Sequence, residues 1–260
     1  MQASSCVPKA NVLGVGVSAI NLAEGTRLIL EAVHENRKGY IAVTGVHGVS
    51  EAQSDVEFRR ILNSAFLNTP DGMPMCWVGR LQGFKSMDRV YGPDLMLELC
   101  SASTDGGVRH FFFGGAPCVA ESLRASLQSR FPGLCVCGTY TPPFRPLNAE
   151  EVADLVSQLE RSRPDIFWVG LSTPKQERFM AAYLDKLPVK IMIGVGAAFD
   201  MHSGRVKQAP YWMQRSGLEW FFRLAQEPRR LWKRYLINNP LFVARMLVQF
   251  TGLKNYSLTD

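Results

Sequence analysis

Residues 148–177 read NAEEVADLVSQLERSRPDIFWVGLSTPKQE, and the order of patterns within them decides the fold class. Asn148 is a good helix N-cap, because its side-chain oxygen can accept a backbone N–H of the first turn. Glu150 and Glu151 follow where the helix macrodipole favours acids, and the helix is expected to run to Arg163 and stop before Pro164. Residues 165–169 (DIFWV) then form a continuous apolar run with no alternation, the mark of a strand covered on both faces. The same pattern recurs at 40–44 (YIAVT), 108–113 (VRHFFF) and 190–195 (KIMIGV), and 21–37 carries apolar residues at helical spacing. Strands and helices in this rhythm imply an α/β fold: a Rossmann-like, largely parallel sheet flanked by helices, with binding loops at the carboxyl ends of the strands.

Charge divides the chain. From Arg205 onward there are ten Lys or Arg against three acids, a net of +7, which leaves the first 204 residues at −1. A nearly neutral body, 11–204, is therefore expected to carry a basic, helical C-terminal appendage, 205–260, suited to an anionic partner. The start, MQASSCVPKA, has no basic region followed by an apolar run, so it reads as no secretory signal and a cytoplasmic protein is expected. Disorder is expected only in the first ten and last six residues. The six cysteines form no C-x-x-C pair and the four histidines are scattered, so no metal site is expected and the cysteines read as reduced, buried small hydrophobes.

Gly14-Val15-Gly16-Val17-Ser18-Ala19 matches the G-x-G-x-x-G/A dinucleotide fingerprint, with Glu31 or Glu35 downstream. Read so, it would make the chain an NAD(P)-dependent nucleotide-sugar oxidoreductase; the alternative is a tight strand-to-helix connection. A second glycine loop, 194–198 (GVGAA), follows a strand and leads to Asp200. Close backbone approach to a ligand is expected at Gly196, although sharp-turn glycines alone would explain the loop.

Two further segments carry candidate chemistry. Residues 69–74 (TPDGMP) form a rigid polar turn, good turn chemistry in itself, that also presents Asp71 as a candidate catalytic carboxylate. Residues 172–177 (STPKQE) combine Thr173 as N-cap, Pro174 at the first helical position and Gln176 at the third, a capping box. A helix N-terminus after a strand, with Lys175 in its first turn, is equally a diphosphate site.

Six segments in order resemble one family: TPDGMPMCWVGR (69–80), RVYGPDLM (89–96), FFFGGAP (111–117), VGLSTPKQE (169–177), GVGAAFDMHSG (194–204) and the run from AP at 209 to RY at 235. They look like successive motifs of the WecG/TagA/CpsF glycosyltransferases, spread over residues 12–237. The resemblance implies inverting transfer from a UDP-sugar to a sugar on a polyprenyl-diphosphate lipid, without metal or other cofactor. It implies that Asp71 is the general base and that Thr44 lines the same pocket. Gln176, Lys175, Gly196 and Asp200 would serve the donor. Arg223, Arg230 and either Lys233 or Arg234 would hold a diphosphate, with Arg229 also available. After Thr44 the chain departs from some relatives: Gly45-Val46-His47 stands for an asparagine-containing stretch. This leaves the donor sugar open, with His47 either a reader of that sugar or a surface or capping residue.

In the appendage, 216–227 (SGLEWFFRLAQE) reads as a helix, Pro228 opens a second segment and Pro240 a third. The last apolar stretch is shorter than the ~20 residues a membrane span needs and contains Arg245. Aromatics interleaved with arginine instead suit a segment lying in the membrane interface, on the inner face of the cell membrane. No nucleic-acid module accompanies the basic tail, so nucleic acid is not an expected partner. Self-association is a family-level expectation.

Overall fold

The computed structural model describes residues 7–105 and 107–258; the expectations for residues 1–6, Cys6 among them, and for 259–260 lie outside these. In chain order the elements are β1 (Lys9–Val12), β2 (Val15–Ser18), α1 (Leu22–His34), β3 (Gly39–Thr44), α2 (Val46–Glu51), α3 (Val56–Asn63), β4 (Leu67–Pro70), α4 (Met73–Leu81) and α5 (Gly92–Ala102). Then come β5 (Arg109–Gly114), α6 (Val119–Arg130), β6 (Cys135–Tyr140), α7 (Ala149–Ser162), β7 (Ile166–Gly170), α8 (Lys175–Tyr183), β8 (Ile191–Gly194) and α9 (Ala198–His202). The chain ends in α10 (Tyr211–Arg215), α11 (Glu219–Gln226) and α12 (Pro228–Phe250). Two compact units result: one of residues 1–22, 44–91 and 209–260, the other of 23–43 and 92–208.

The second unit holds the parallel sheet, in which the neighbours β3-β8-β7-β5-β6 pair in parallel throughout. The four strands expected from continuous apolar runs are β3, β5, β7 and β8, and their residues are almost wholly buried. Aromatic rings pack the sheet: Phe111 of β5 stacks on Phe167 of β7 at 5.5 Å between centroids, and Phe113 on Phe179 of α8 at 4.7 Å. Within the sheet, His110 Nδ1 accepts from Trp168 Nε1 at 3.0 Å, and His110 Nε2 lies 2.8 Å from Ser103 Oγ. Helix α7 begins as its sequence requires, with Asn148 and Glu151 closing a reciprocal capping box.

The first unit corrects several expectations. Gly14 opens no strand-to-helix phosphate loop. Leu13 (φ 54°) and Gly14 (φ 82°) are the two central residues of a hairpin that pairs β1 and β2 antiparallel, with Val12 opposite Val15. Two successive positive φ angles are what a two-residue hairpin turn demands, and they explain the glycine without a dinucleotide. The oxidoreductase reading loses its site. Residues 7–10 are likewise ordered, since β1 begins at Lys9. Thr69 and Pro70 belong to β4 rather than to a turn: Asn68 and Thr69 are fully buried, with Asn68 Nδ2 donating to the Gly16 carbonyl and Thr69 Oγ1 to that of Val90. Bonding to backbone lets polar side chains occupy a strand that hydropathy alone passes over.

The cysteines are less uniform than expected. Cys76 and Cys100 are buried, whereas Cys118 and Cys135 are exposed and Cys137 is intermediate; all five are free. Strand β6, which carries Cys135 and Cys137, lies at the end of the sheet order, so among the described residues one of its edges has no strand neighbour. Pro240 starts no new segment either, since α12 runs unbroken through it. A proline there removes one hydrogen bond, and the helix tolerates that cost.

Candidate active site

In the first unit, the end of β3 and the end of β4 place Thr44 and Asp71 together. The Asp71 amide donates to the Thr44 carbonyl at 3.0 Å. Gly45 lies so close that a Cβ there would meet the Asp71 carbonyl at 3.0 Å and Oδ2 at 3.2 Å, so this position has little room for a side chain. Asp71 as a whole is partly accessible, but its Oδ1 is sealed from solvent and has no hydrogen-bond partner, as is Thr44 Oγ1. Buried polar atoms left unpaired in this way cost stability and call for an explanation, a catalytic or binding role among them.

The tail supplies two of the cations that act on this carboxylate. Arg223 on α11 and Arg234 on α12 both act on Asp71, and each has a buried Nε without a partner. Burial nevertheless dominates: it pushes the Asp71 carboxyl up to about 7, Glu219 adds repulsion, and Arg89, Arg223 and Arg234 only partly offset them. A carboxyl that would be fully anionic at neutral pH in water is instead poised there, which makes it a stronger base than a carboxylate in water. The same surroundings lower Arg234, through burial first, and raise Arg223 despite its burial, through the Tyr235, Tyr91, Glu219 and Asp71 charges.

Of the two adjacent tail candidates, Arg234 is the one whose charge acts on Asp71, while Lys233 is exposed with its ammonium 5.5 Å from the Trp232 ring. Arg230 is exposed and forked onto Glu227 one turn earlier. Arg229 is also exposed. His47, at the start of α2, has Nδ1 3.6 Å from Glu51 Oε1.

Four residues that the sequence reading did not single out complete this cluster. Arg89, 7% exposed, donates to Glu219 Oε2 at 3.1 Å and to Gln214 Oε1, and lies 4.1 Å over the Tyr91 ring. Arg89 and Tyr91 lie inside the quoted RVYGPDLM, and Glu219 inside GLEW. No local signal marks Arg89, which follows Asp88, because its partner is 130 positions away.

In the second unit, the loops after β7 and β8 gather the donor-side candidates. Gln176 is buried, its Nε2 donating to Glu177 Oε1 at 3.0 Å, and its Oε1 has no partner. Its amide lies against the glycine loop: a Cβ on Gly194 would fall 3.0 Å from Gln176 Nε2, and one on Gly196 3.3 Å from Oε1. The expected capping box does not form. Pro174 is the N-cap of α8, and the Thr173 hydroxyl is engaged by Glu177 Oε1 at 2.8 Å, which frees Gln176 to face the loop. Lys175 is exposed in the first turn of α8. Asp200 lies partly exposed in α9, where its carbonyl accepts from the amides of Arg205 and Val206. Among the described residues no group of three or more His, Cys, Asp or Glu is placed to hold a metal ion.

The sequence profile described as "Glycosyl transferase WecG/TagA/CpsF family" matches residues 10–256. A relative from Bacillus subtilis (strain 168) is 32% identical over 205 residues, covering 79% of this chain and 77% of its own length. Another, from Bacillus spizizenii (strain ATCC 23059 / NRRL B-14472 / W23), is 32% identical over 213 residues, 82% and 80% of the two chains. Both carry the name N-acetylglucosaminyldiphosphoundecaprenol N-acetyl-beta-D-mannosaminyltransferase.

Proposed function

Because the chain belongs to the WecG/TagA/CpsF glycosyltransferase family, we propose that it moves a sugar, with inversion, from a UDP-sugar to a saccharide carried on a polyprenyl diphosphate. The observation that carries this reading is the sealed, unpaired Asp71 oxygen among the guanidiniums of Arg223 and Arg234. A base and fixed positive charge in one place are what single-displacement transfer from a diphosphate donor needs.

In this reading Asp71 takes the proton of the acceptor hydroxyl as that oxygen attacks the anomeric carbon. The bond from that carbon to the diphosphate oxygen breaks on the opposite face, and the electron pair leaves with UDP. Thr44 Oγ1 orients the acceptor hydroxyl. Arg223 and Arg234 offer planar, multiply donating charge to a diphosphate, so the reading uses no metal ion. Gln176, Gly196, Lys175 and Asp200 bind the donor. The names of the relatives favour N-acetylmannosamine as the sugar and an N-acetylglucosaminyl diphosphate lipid as acceptor.

The acceptor's lipid sets the place of action. No helix among the described residues is long and apolar enough to cross a membrane. The tail exposes Trp212, Phe221, Trp232, Leu236, Leu241, and Leu247, with Arg229, Arg230 and Lys233 exposed among them. Exposed aromatics of this kind sit at the headgroup level while neighbouring cations meet anionic lipid, and we assign the tail to peripheral binding on the cytoplasmic leaflet.

The test is direct: purified protein, UDP-N-acetylmannosamine and a short-chain N-acetylglucosaminyl diphosphate lipid, with UDP release and the anomeric configuration of the product read by NMR. A β-linked disaccharide from the α-linked donor supports the proposal. Product of retained configuration overturns the single displacement, and no turnover with any UDP-sugar overturns the donor class.

A further inference from the structure

The Val90 amide donates to the Pro70 carbonyl at 2.9 Å, which ties the Arg89–Tyr91 segment to the residue before Asp71, and the charges of Arg89, Arg223 and Arg234 all act on the Asp71 carboxyl. Three nearby cations would ordinarily hold a carboxylate in its anionic form and make it a poor base. Burial of Asp71 opposes them first, and Glu219 adds a second countermeasure. Glu219, the first residue of α11, accepts from Arg89 Nη1 at 3.1 Å, and the pair is well buried, with 3% and 15% of the two side chains exposed. Tyr91 also donates a hydrogen bond to Glu219. Arg89 in turn is fixed by Gln214 Oε1 and by the Tyr91 ring beneath it.

An ion pair buried this deeply is weak as a stabilising device, because desolvating both charges offsets most of their attraction. Its effect on its surroundings is larger. Paired with Glu219, Arg89 presents Asp71 with much less net positive charge, and Glu219 itself repels a second anion. The groups that face Asp71 are thus Arg89 and Tyr91 from the segment before α5, Glu219 and Arg223 from α11, and Arg234 from α12.

We propose that Glu219 is a positioning residue for the Asp71 base: it engages Arg89 and Tyr91 and so leaves Asp71 basic enough to take a proton from a sugar hydroxyl. The inference rests on the reading of Asp71 as the base, and its test separates the two.

Glu219→Gln keeps an acceptor for Arg89 and Tyr91 but removes the charge, whereas Glu219→Asp keeps the charge. Both are compared with wild type in the pH profile of kcat/KM from pH 5 to 9. The Asp71 carboxyl is titrated in parallel by carbon-13 NMR, its resonance identified by its loss in Asp71→Asn. In Glu219→Gln the acid limb and the NMR titration should both move down by about one pH unit, since a like charge is lost and a cation is uncovered. Glu219→Asp should return both towards wild type. Arg89→Gln should move them the other way, and it keeps the test open if Glu219→Gln does not fold. An unmoved NMR titration in these variants overturns the role of Glu219, even if activity falls. Full turnover in Asp71→Asn overturns the base reading, and with it the catalytic part of this proposal, whatever the titration shows.

Discussion

The Asp71 amide donates to the carbonyl of Thr44 across 3.0 Å, which ties the last residue of β3 to the residue just after β4. The side chains of the same two residues carry polar atoms that are buried and unpaired. Backbone satisfied and side chains unsatisfied is the arrangement of a rigid frame that offers its functional atoms to a ligand.

Asp71→Asn should reduce turnover by at least 10²-fold, about the contribution of a general base. Binding of UDP, measured by calorimetry, should stay close to wild type. Turnover near the wild-type rate would remove Asp71 from the base role.

The same substitution should stabilise the fold at alkaline pH. Asp71 ionises near 4 when unfolded and at about 7 in the fold, so between these values the folded chain holds a proton that the unfolded chain has released. Stability from this group therefore declines as pH rises from about 4 to about 7. Asn bears no such cost, and at pH 8 the variant should be more stable by on the order of 2 kcal/mol, a melting temperature several degrees higher. The two proteins should converge near pH 4, as differential scanning calorimetry across that range would show. A constant offset at every pH would contradict the burial argument.

His110 has the opposite dependence. Burial lowers it to about 4, against an ordinary value near 6.5, so the fold requires the neutral ring that accepts from Trp168. Its contribution is fully present above about 6.5 and is lost progressively as the pH falls towards 4. Urea midpoints measured from pH 7 to pH 4 should decline, and less steeply in a Trp168→Phe, His110→Phe double variant. Equal slopes would show that other groups dominate acid unfolding.

The tail arginines should separate by geometry. Arg223→Ala and Arg234→Ala should raise the KM for donor or acceptor about tenfold or more, as the loss of a charge-assisted contact does. Arg230→Ala, which breaks only an exposed pair with Glu227, should change KM little unless the acceptor lipid itself draws Arg230 in. Steady-state kinetics on the three variants decide it, and an Arg230 effect larger than that of Arg234 would reverse the assignment.

Leu236 and Leu247 are 56% and 62% exposed on α12. Changing both to Glu should leave melting unaltered while releasing the protein from vesicles rich in anionic lipid, measured by co-sedimentation. Unchanged sedimentation would refute the membrane assignment of this face.

The sequence alone determined the elements whose signal is local. β3, β5, β7 and β8 are continuous apolar runs buried on both faces, and α7 announces itself through Asn148, Glu151 and Pro164. Side-chain period, caps and breakers act over a few residues and are legible there. The ordered motifs likewise pointed to Asp71, Thr44 and Gln176. Only the tertiary structure decided the rest. It made Gly14 a hairpin residue, since the distinction lies in what β2 pairs with. It placed Asn68 and Thr69 in a buried strand, because their partners are the distant carbonyls of Gly16 and Val90. It also set the charge of Arg234, rather than that of Lys233, against Asp71, and joined Arg89 to Glu219 from 130 positions away. Electrostatic and hydrogen-bond partnerships depend on distance in space and on exclusion of water, and neither quantity exists until the chain has folded.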